Sequence, residues 1–196
     1  MSLLLLTWMF LAGLMQHDDW RFEYEKEGIS VYTLQVENSN FKAFRGEMKT
    51  DIPMEQLAAL ISDIERYSDW CYRTTATNVL KKEEGRIYYY YESATPPGIK
   101  NREAYLYTDI SKDSITGHVL FEIHHFESDE KIPSGYIRMP FSSGFWMLIP
   151  LEENSTRIIF QMHSDPGGMI PAWLANSASV DAPWITMNNM RKLLSK

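Results

Sequence analysis

The segment Ser164-Asp165-Pro166-Gly167-Gly168-Met169-Ile170-Pro171-Ala172-Trp173-Leu174-Ala175-Asn176-Ser177 divides the chain into two unlike parts. Before it the sequence reads mostly as strand, and after it as helix. Pro166 removes a ladder donor and Gly167-Gly168 tolerate positive φ, so strand pairing must end here. Pro171 suits a first helical turn, where its missing N–H costs nothing. From Ile170 to Lys196 alternation disappears, and Trp173, Val180, Trp184, Met187 and Leu194 recur near 3.6-residue spacing. One long C-terminal helix is expected, kinked or split at Pro183. Between Leu174 and that proline, Ala175-Asn176-Ser177-Ala178-Ser179 carry little bulk, which lets another body approach the helix axis closely.

Upstream, residues 28–36 alternate with apolar Ile29 and Val31, and 41–48 follow across Asn38-Ser39-Asn40 as a hairpin-like partner. The period then changes. Met54, Leu57, Ala58, Ile61 and Ile64 fall at helical spacing, with Asp51 placed to cap and Pro53 in the first turn, so a helix is expected over 53–65. Strands are expected at 73–82, 86–94, 101–111, 114–126, 135–149 and 155–164. In Arg86-Ile87-Tyr88-Tyr89-Tyr90-Tyr91-Glu92, Ile87, Tyr89 and Tyr91 share one face and Tyr88 and Tyr90 the other, putting aromatic rings on both sides of a sheet. Ile115, Val119, Phe121 and Ile123 share one face of the next strand; His118, Glu122 and His124 share the other. Two strands, a helix, a run of antiparallel strands and a terminal helix define an α+β domain in which a curved sheet grips a helix. Where the sheet curves without filling the space beneath the helix, a concave apolar site remains, of the kind ligands favour.

The length of 196 residues suits one well-cored domain, and no linker, repeat or low-complexity tract interrupts it after Trp20. A formal charge of −7 argues against nucleic acid and against electrostatic capture by anionic membranes. The single cysteine, Cys71, cannot form an internal disulfide. Leu3 to Met15 is an uninterrupted apolar run, spanning about 20 Å as a helix and so too short to cross a hydrocarbon core of about 30 Å. Residues 1–17 are expected to be a signal peptide, although no Lys or Arg precedes the run and no A-x-A site follows it. The domain proper is then 18–196, secreted or periplasmic. If the segment is instead a buried helix of the domain, the protein is cytoplasmic.

Several stretches taken in order resemble one known family. They are Trp20 with Glu27-Gly28-Ile29-Ser30-Val31-Tyr32, Phe41-Lys42-Ala43-Phe44-Arg45-Gly46, Asp63-Ile64-Glu65-Arg66-Tyr67-Ser68-Asp69-Trp70 and Pro96-Pro97-Gly98-Ile99-Lys100-Asn101-Arg102-Glu103. They continue through Gly135-Tyr136-Ile137-Arg138, Trp146-Met147-Leu148-Ile149-Pro150 and the segment from Asp165 to Asn176. Over about residues 20–195 the chain resembles START domains, the StAR-related lipid-transfer family, in a bacterial, secreted form. The resemblance implies a helix-grip fold with an internal hydrophobic tunnel holding one lipid or sterol-like molecule, the C-terminal helix acting as its gate. It also implies transient contact with a membrane. Glu103 departs from the Asp that many relatives carry after the arginine.

Candidate residues follow from both lines. Tyr89, Trp146, Trp173 and Trp184 are large apolar groups suited to line a cavity, with ordinary core packing as the competing reading. Tyr91, Phe121, Ile123, His125 and Val180 extend that wall, and Ser177 marks the small-residue window. Met169, Met187 and Met190 would let a gate repack around its guest. Arg102 follows the Pro-Pro-Gly turn, where it would either hydrogen-bond a ligand hydroxyl or carboxylate or form a salt bridge to Glu92 or Glu103. Arg138 has the same two readings. His163, Asp165, Glu122, His124 and His125 are suitable zinc ligands individually, but their spacing is that of ordinary strand-face residues, and no metal is assigned. No G-x-S-x-G, H-E-x-x-H or phosphate-loop motif is present, and no cofactor is expected. The first reading is a monomeric, non-catalytic carrier or sensor. The alternative is a cyclase or hydrolase of the wider helix-grip superfamily, with His125 or Glu122 as acid–base group.

Overall fold

The computed structural model describes residues 19–152 and 155–195. The signal peptide expected at 1–17 lies outside the described residues. Within them, ten strands form one sheet: β1 (Arg21–Lys26), β2 (Ile29–Gln35), β3 (Lys42–Thr50), β4 (Thr74–Glu83), β5 (Arg86–Ser93), β6 (Asn101–Lys112), β7 (Val119–His125), β8 (Tyr136–Arg138), β9 (Phe141–Pro150) and β10 (Thr156–Asp165). The order is β1-β2-β3-β10-β9-β7-β6-β5-β4, with β8 paired to β6 off this path. Every pairing is antiparallel except β6 with β8. Helices α1 (Met54–Ser62) and α2 (Tyr67–Trp70), joined by a 3₁₀ turn at Ile64–Arg66, connect β3 to β4, and α3 (Ala172–Leu194) ends the fold. The sheet curves around α3, giving the helix-grip arrangement.

Alternation sorts the side chains as the pleat requires. Phe121, Ile123, Trp146, Leu148, Ile158 and Phe160 point to the concave side and join the main core, whereas Phe145, Met147 and Ile159 form a smaller cluster on the other face. Trp146 stacks on Phe160 with centroids 3.8 Å apart and planes 5° from parallel. On β5, Tyr89 and Tyr91 face inward, while Tyr88 and Tyr90 meet Tyr107 and Tyr105 on the outer face.

The helix rests on glycine. A Cβ on Gly46 of β3 would stand 2.6 Å from Met187 Sδ and 2.9 Å from Pro183 Cβ, closer than packed atoms approach, so the absent side chain sets the depth at which α3 lies. The C-terminal half of α3 is anchored by buried Pro183, Thr186, Met187 and Met190, by Trp184 Nε1 donating to the Lys26 carbonyl at 3.1 Å and by Arg191 donating to the Glu27 carbonyl at 2.7 Å.

Several local expectations change. β1 is an additional strand that lengthens the expected hairpin into three strands. Asp51 does not cap α1; Pro53 holds the N-cap position with no side-chain bond. The helix expected over 53–65 ends at Ser62, because Asp63 leaves helical geometry, and resumes as the 3₁₀ turn and α2. Two carbonyls of the helical connection are satisfied from outside: Tyr67 Oη donates to Ile61 O at 2.7 Å and Thr77 Oγ1 to Ile64 O at 2.6 Å. Ile115 is not a strand residue. It sits 94% exposed in a turn nucleated by Asp113, whose Oδ1 accepts from the amides of Ile115 and Thr116. The strand expected at 135–149 divides at Pro140: β8 joins the start of β6 and β9 runs on between β7 and β10. Pro171 takes the N-cap of α3 rather than its first turn, and α3 continues through Pro183 as a single helix.

Candidate ligand-binding cavity

A cavity of about 320 Å³ lies between the concave face of the sheet and the N-terminal half of α3. Its walls come from β3 (Phe44), β5 (Tyr89, Tyr91), β6 (Arg102, Leu106), β7 (Ile123), β9 (Ser142, Trp146) and β10 (Phe160, Met162, Ser164). Tyr67, Cys71 and Arg73 close one side, and Leu174, Ala175, Ala178, Ala182 and Thr186 of α3 form the roof. The roof is thin because alanine and serine occupy the turns that face inward; bulkier residues there would fill the space.

Burial holds the phenol and thiol groups of the apolar wall in their neutral forms. It pushes the phenols of Tyr67 and Tyr89 and the Cys71 thiol well up, and Tyr91 moves the same way. Thr108 Oγ1 donates to Tyr89 Oη and Thr74 Oγ1 to Tyr91 Oη, each at 3.4 Å. Ser142 and Ser164 hydroxyls pair across β9 and β10 at 2.8 Å.

Arg102 is 2% exposed and makes neither salt bridge expected of it. Its Nε donates to Pro166 O at 2.6 Å, its Nη2 to Gly167 O at 3.0 Å and its Nη1 to Lys100 O. Burial lowers its pKa. The guanidinium therefore ties β6 to the turn that leads into α3. That turn needs its glycines: Gly167 and Gly168 have φ of 63° and 64°, and a Cβ on Gly168 would lie 2.7 Å from Ile137 Cδ1. Asp165 Oδ1 accepts from the Gly167 amide at 2.7 Å and fixes the first step.

Of the residues singled out from the sequence, Tyr89, Tyr91, Arg102, Ile123, Trp146 and Ser177 line the cavity. Phe121, His125, Arg138, Trp173, Val180 and Trp184 are not among its lining residues. Phe121 is fully buried in solid core further along β7. His125 follows Ile123 on the same face, with a buried Nε2 that has no protein partner. Arg138 belongs to the outer side, where its Nε donates to Glu103 Oε1 at 2.6 Å. Val180 contributes its carbonyl to Tyr24 Oη at 3.2 Å. Trp184 packs at the β1–β2 corner under the Lys26 ammonium, 3.8 Å from its ring centroid. Trp173 is 73% exposed and Met169 99%. The Glu122 carboxyl lies on the face away from Phe121 and Ile123, and burial raises its pKa. No three of the His, Cys, Asp and Glu side chains converge as a metal site among the described residues. Sequence reasoning missed Leu106, Phe160, Met162, Ala182 and Arg73, whereas Ala178 belongs to the small-residue window it had marked.

The family model described as START domain matches residues 6–191. The chain is 31% identical over 189 residues to an uncharacterised Pseudomonas aeruginosa protein, covering 95% of this chain and 92% of that one. It is 25% identical over 174 residues to the Rattus norvegicus phosphatidylcholine transfer protein, covering 82% and 77%. Among solved structures, the STAR-related lipid transfer protein of Xanthomonas axonopodis superposes with a TM-score of 0.84 at 28% identity, covering 91% of this chain and all of that fragment. Human StAR-related lipid transfer protein 5 shares the fold, with a TM-score of 0.83 at 16% identity over 96% and 92% of the two chains. Matched along nearly its whole length and folded as a sheet gripping a terminal helix, the chain belongs to the START domain family.

Proposed function

We propose that this protein binds one lipid or sterol-like molecule in the cavity under α3 and carries or senses it without covalent chemistry. The observation that carries this reading is the cavity itself, lined by Phe44, Leu106, Ile123, Trp146 and Phe160 and roofed by alanines. Covering a ligand's apolar surface there contributes about 25 cal/mol per Å². Membership of a family whose relatives include a phosphatidylcholine transfer protein supports the same ligand class.

The gate in this reading is α3 from Ala172 to Ala182. Its roof residues meet the void instead of packed protein. It is held at the rim by hydrogen bonds: Asn176 Oδ1 accepts from the Lys42 amide at 2.9 Å, Asn176 Nδ2 donates to Asn40 O at 3.2 Å and Ser179 Oγ to Lys42 O at 3.2 Å. Pro183 has no N–H for the Ser179 carbonyl, which weakens the helix where the anchored half begins. Segments with few buried apolar contacts open at low cost. The exposed pair Met169, in the bend before α3, and Trp173, in its first turn, would enter a bilayer surface during exchange.

Mass spectrometry of organic extracts from the purified protein tests the reading, together with transfer of labelled lipids between vesicles. One bound lipid per chain is expected, and its loss in Ala178→Trp, which fills the cavity from the roof. A protein that copurifies with no lipid and transfers none, in the same state of folding, overturns it.

A further inference from the structure

Arg21, Arg45, Arg66, Arg86, Arg138, Arg157 and Arg191 each stand within ion-pair distance of a carboxylate. Among the described residues the remaining two arginines, Arg73 and Arg102, have no such partner, and both line the cavity. The fold places them together. Thr74 is opposite Ser93 on β5, and Ser93 is opposite Arg102 on β6. The Ala94 amide donates to the Arg73 carbonyl at 2.8 Å. The two backbones are therefore about two strand spacings apart, roughly 10 Å, within reach of two arginine side chains that converge on one small group.

Each guanidinium keeps unused donors. Of the five N–H groups on Arg102, the three bonds to backbone carbonyls leave two. Arg73 spends its Nε on Tyr72 Oη at 2.8 Å. It also adopts φ of 55°, a left-handed conformation that is strained for a non-glycine residue and concentrates at functional sites. Arg102, at 2% exposed, is a cation buried without a counter-ion, which is costly, and the void beside it offers room for one. The lining as a whole carries Lys42, Arg73 and Arg102 against one carboxylate, Asp181 of α3, although the chain is formally −7. The apolar wall begins inward of Arg102 along β6: Leu106, four residues on, stands roughly 13 Å deeper. A volume of about 320 Å³ is at the lower end of ligand pockets, which run from about 300 to 1,000 Å³, and suits one chain more than two.

Building on the lipid-binding reading above, we propose that Arg73 and Arg102 form a head-group site for an anionic amphiphile with a single apolar chain. The group they recognise is a carboxylate or a phosphate monoester, with the tail directed toward Leu106, Trp146 and Phe160.

Equilibrium binding of oleate, oleoyl lysophosphatidate and oleyl alcohol to the purified protein at neutral pH tests this, since the three share a tail and differ in head. At least one anionic probe should bind tenfold or more tightly than the alcohol, and whichever binds more tightly identifies the head as carboxylate or phosphate. The preference should fall several-fold in Arg73→Gln, an exposed position whose loss leaves the melting temperature in place. It should fall in Arg102→Lys, which keeps the charge but not the fork. Equal binding of alcohol and anions would overturn the head-group site while leaving lipid binding intact. A preference unchanged in both variants would overturn the assignment to these arginines. Binding of none of the probes, with no lipid in the organic extract, would overturn the underlying reading as well.

Discussion

Gly46→Ala isolates the contact on which α3 rests. The added Cβ would meet Pro183 Cβ at 2.9 Å and Met187 Sδ at 2.6 Å. Carbon atoms in packed interiors sit about 3.5–4.0 Å apart, so the proline contact alone is short by roughly 0.6–1.1 Å. Met187 is fully buried and Pro183 is a ring fixed in the helix, so the helix must lift or the sheet must yield. Overpacking of this kind costs about 1–3 kcal/mol. Replacing a strand glycine returns about 0.5–1 kcal/mol of backbone entropy. Taking the middle of each range, the net loss is about 1 kcal/mol, a melting temperature lowered by roughly 2–4 °C for a domain of this size. The lifted point lies at the base of the proposed gate, so on that reading ligand release should also accelerate. Thermal melts and dissociation rates of a bound fluorescent lipid measure both effects. Met187→Ala in the same chain removes one of the two conflicts, and the double variant should cost less than the sum of the singles. A Gly46→Ala protein that melts at or above the parent temperature and releases lipid no faster would refute this account of how the helix is seated.

Two further outcomes follow from other parts of the molecule. Burial raises the pKa of Glu122, Asp109 adding to the shift and His124 opposing it. The folded state thus binds this proton more tightly than the unfolded one, so the ionised carboxylate destabilises the fold at neutral pH and the penalty disappears as pH falls toward 4.5. Glu122→Gln should melt higher than the parent at pH 7.5 and level with it near pH 4; a pH-independent difference would exclude the carboxylate as its source. Met169→Ser with Trp173→Ser should weaken cosedimentation with neutral phospholipid vesicles several-fold at unchanged melting temperature, and undiminished cosedimentation would remove these side chains from membrane contact.

The break at Asp165–Gly168 was legible because proline and glycine act locally, through a missing donor and two left-handed residues. The faces of β5 were legible because alternation is a property of the pleat, and Tyr89 and Tyr91 face inward as the count of residues requires. The face of α3 was harder to read. Helical periodicity selected Trp173, Val180 and Trp184 by bulk, yet the face turned to the sheet carries Ala175, Ala178 and Ala182 and then Thr186. A helix over a void needs small residues on its inner side, so hydrophobic size stops reporting burial there. Arg102 was placed inward, but its bonds to the carbonyls of Pro166 and Gly167 join segments 64 and 65 residues apart, a pairing with no local signature. The division of residues 135–149 depended on β8 finding the start of β6, again a long-range choice.

The junction of β3 with β10 has a consequence for how the chain comes to be. Thr50 is opposite Thr156 and Phe44 opposite Met162, so the first three strands wait for their permanent neighbour until more than a hundred further residues have been synthesised. Until then the apolar side of that meander, with Ile29, Val31 and Met48, lacks both β10 and the terminal helix to cover it. Distant pairings dominate this sheet, so acquisition of the native state is expected to be slow. A nascent chain stalled before residue 165 would present a sticky half-sheet, making this stage of translation the one at which chaperones matter most.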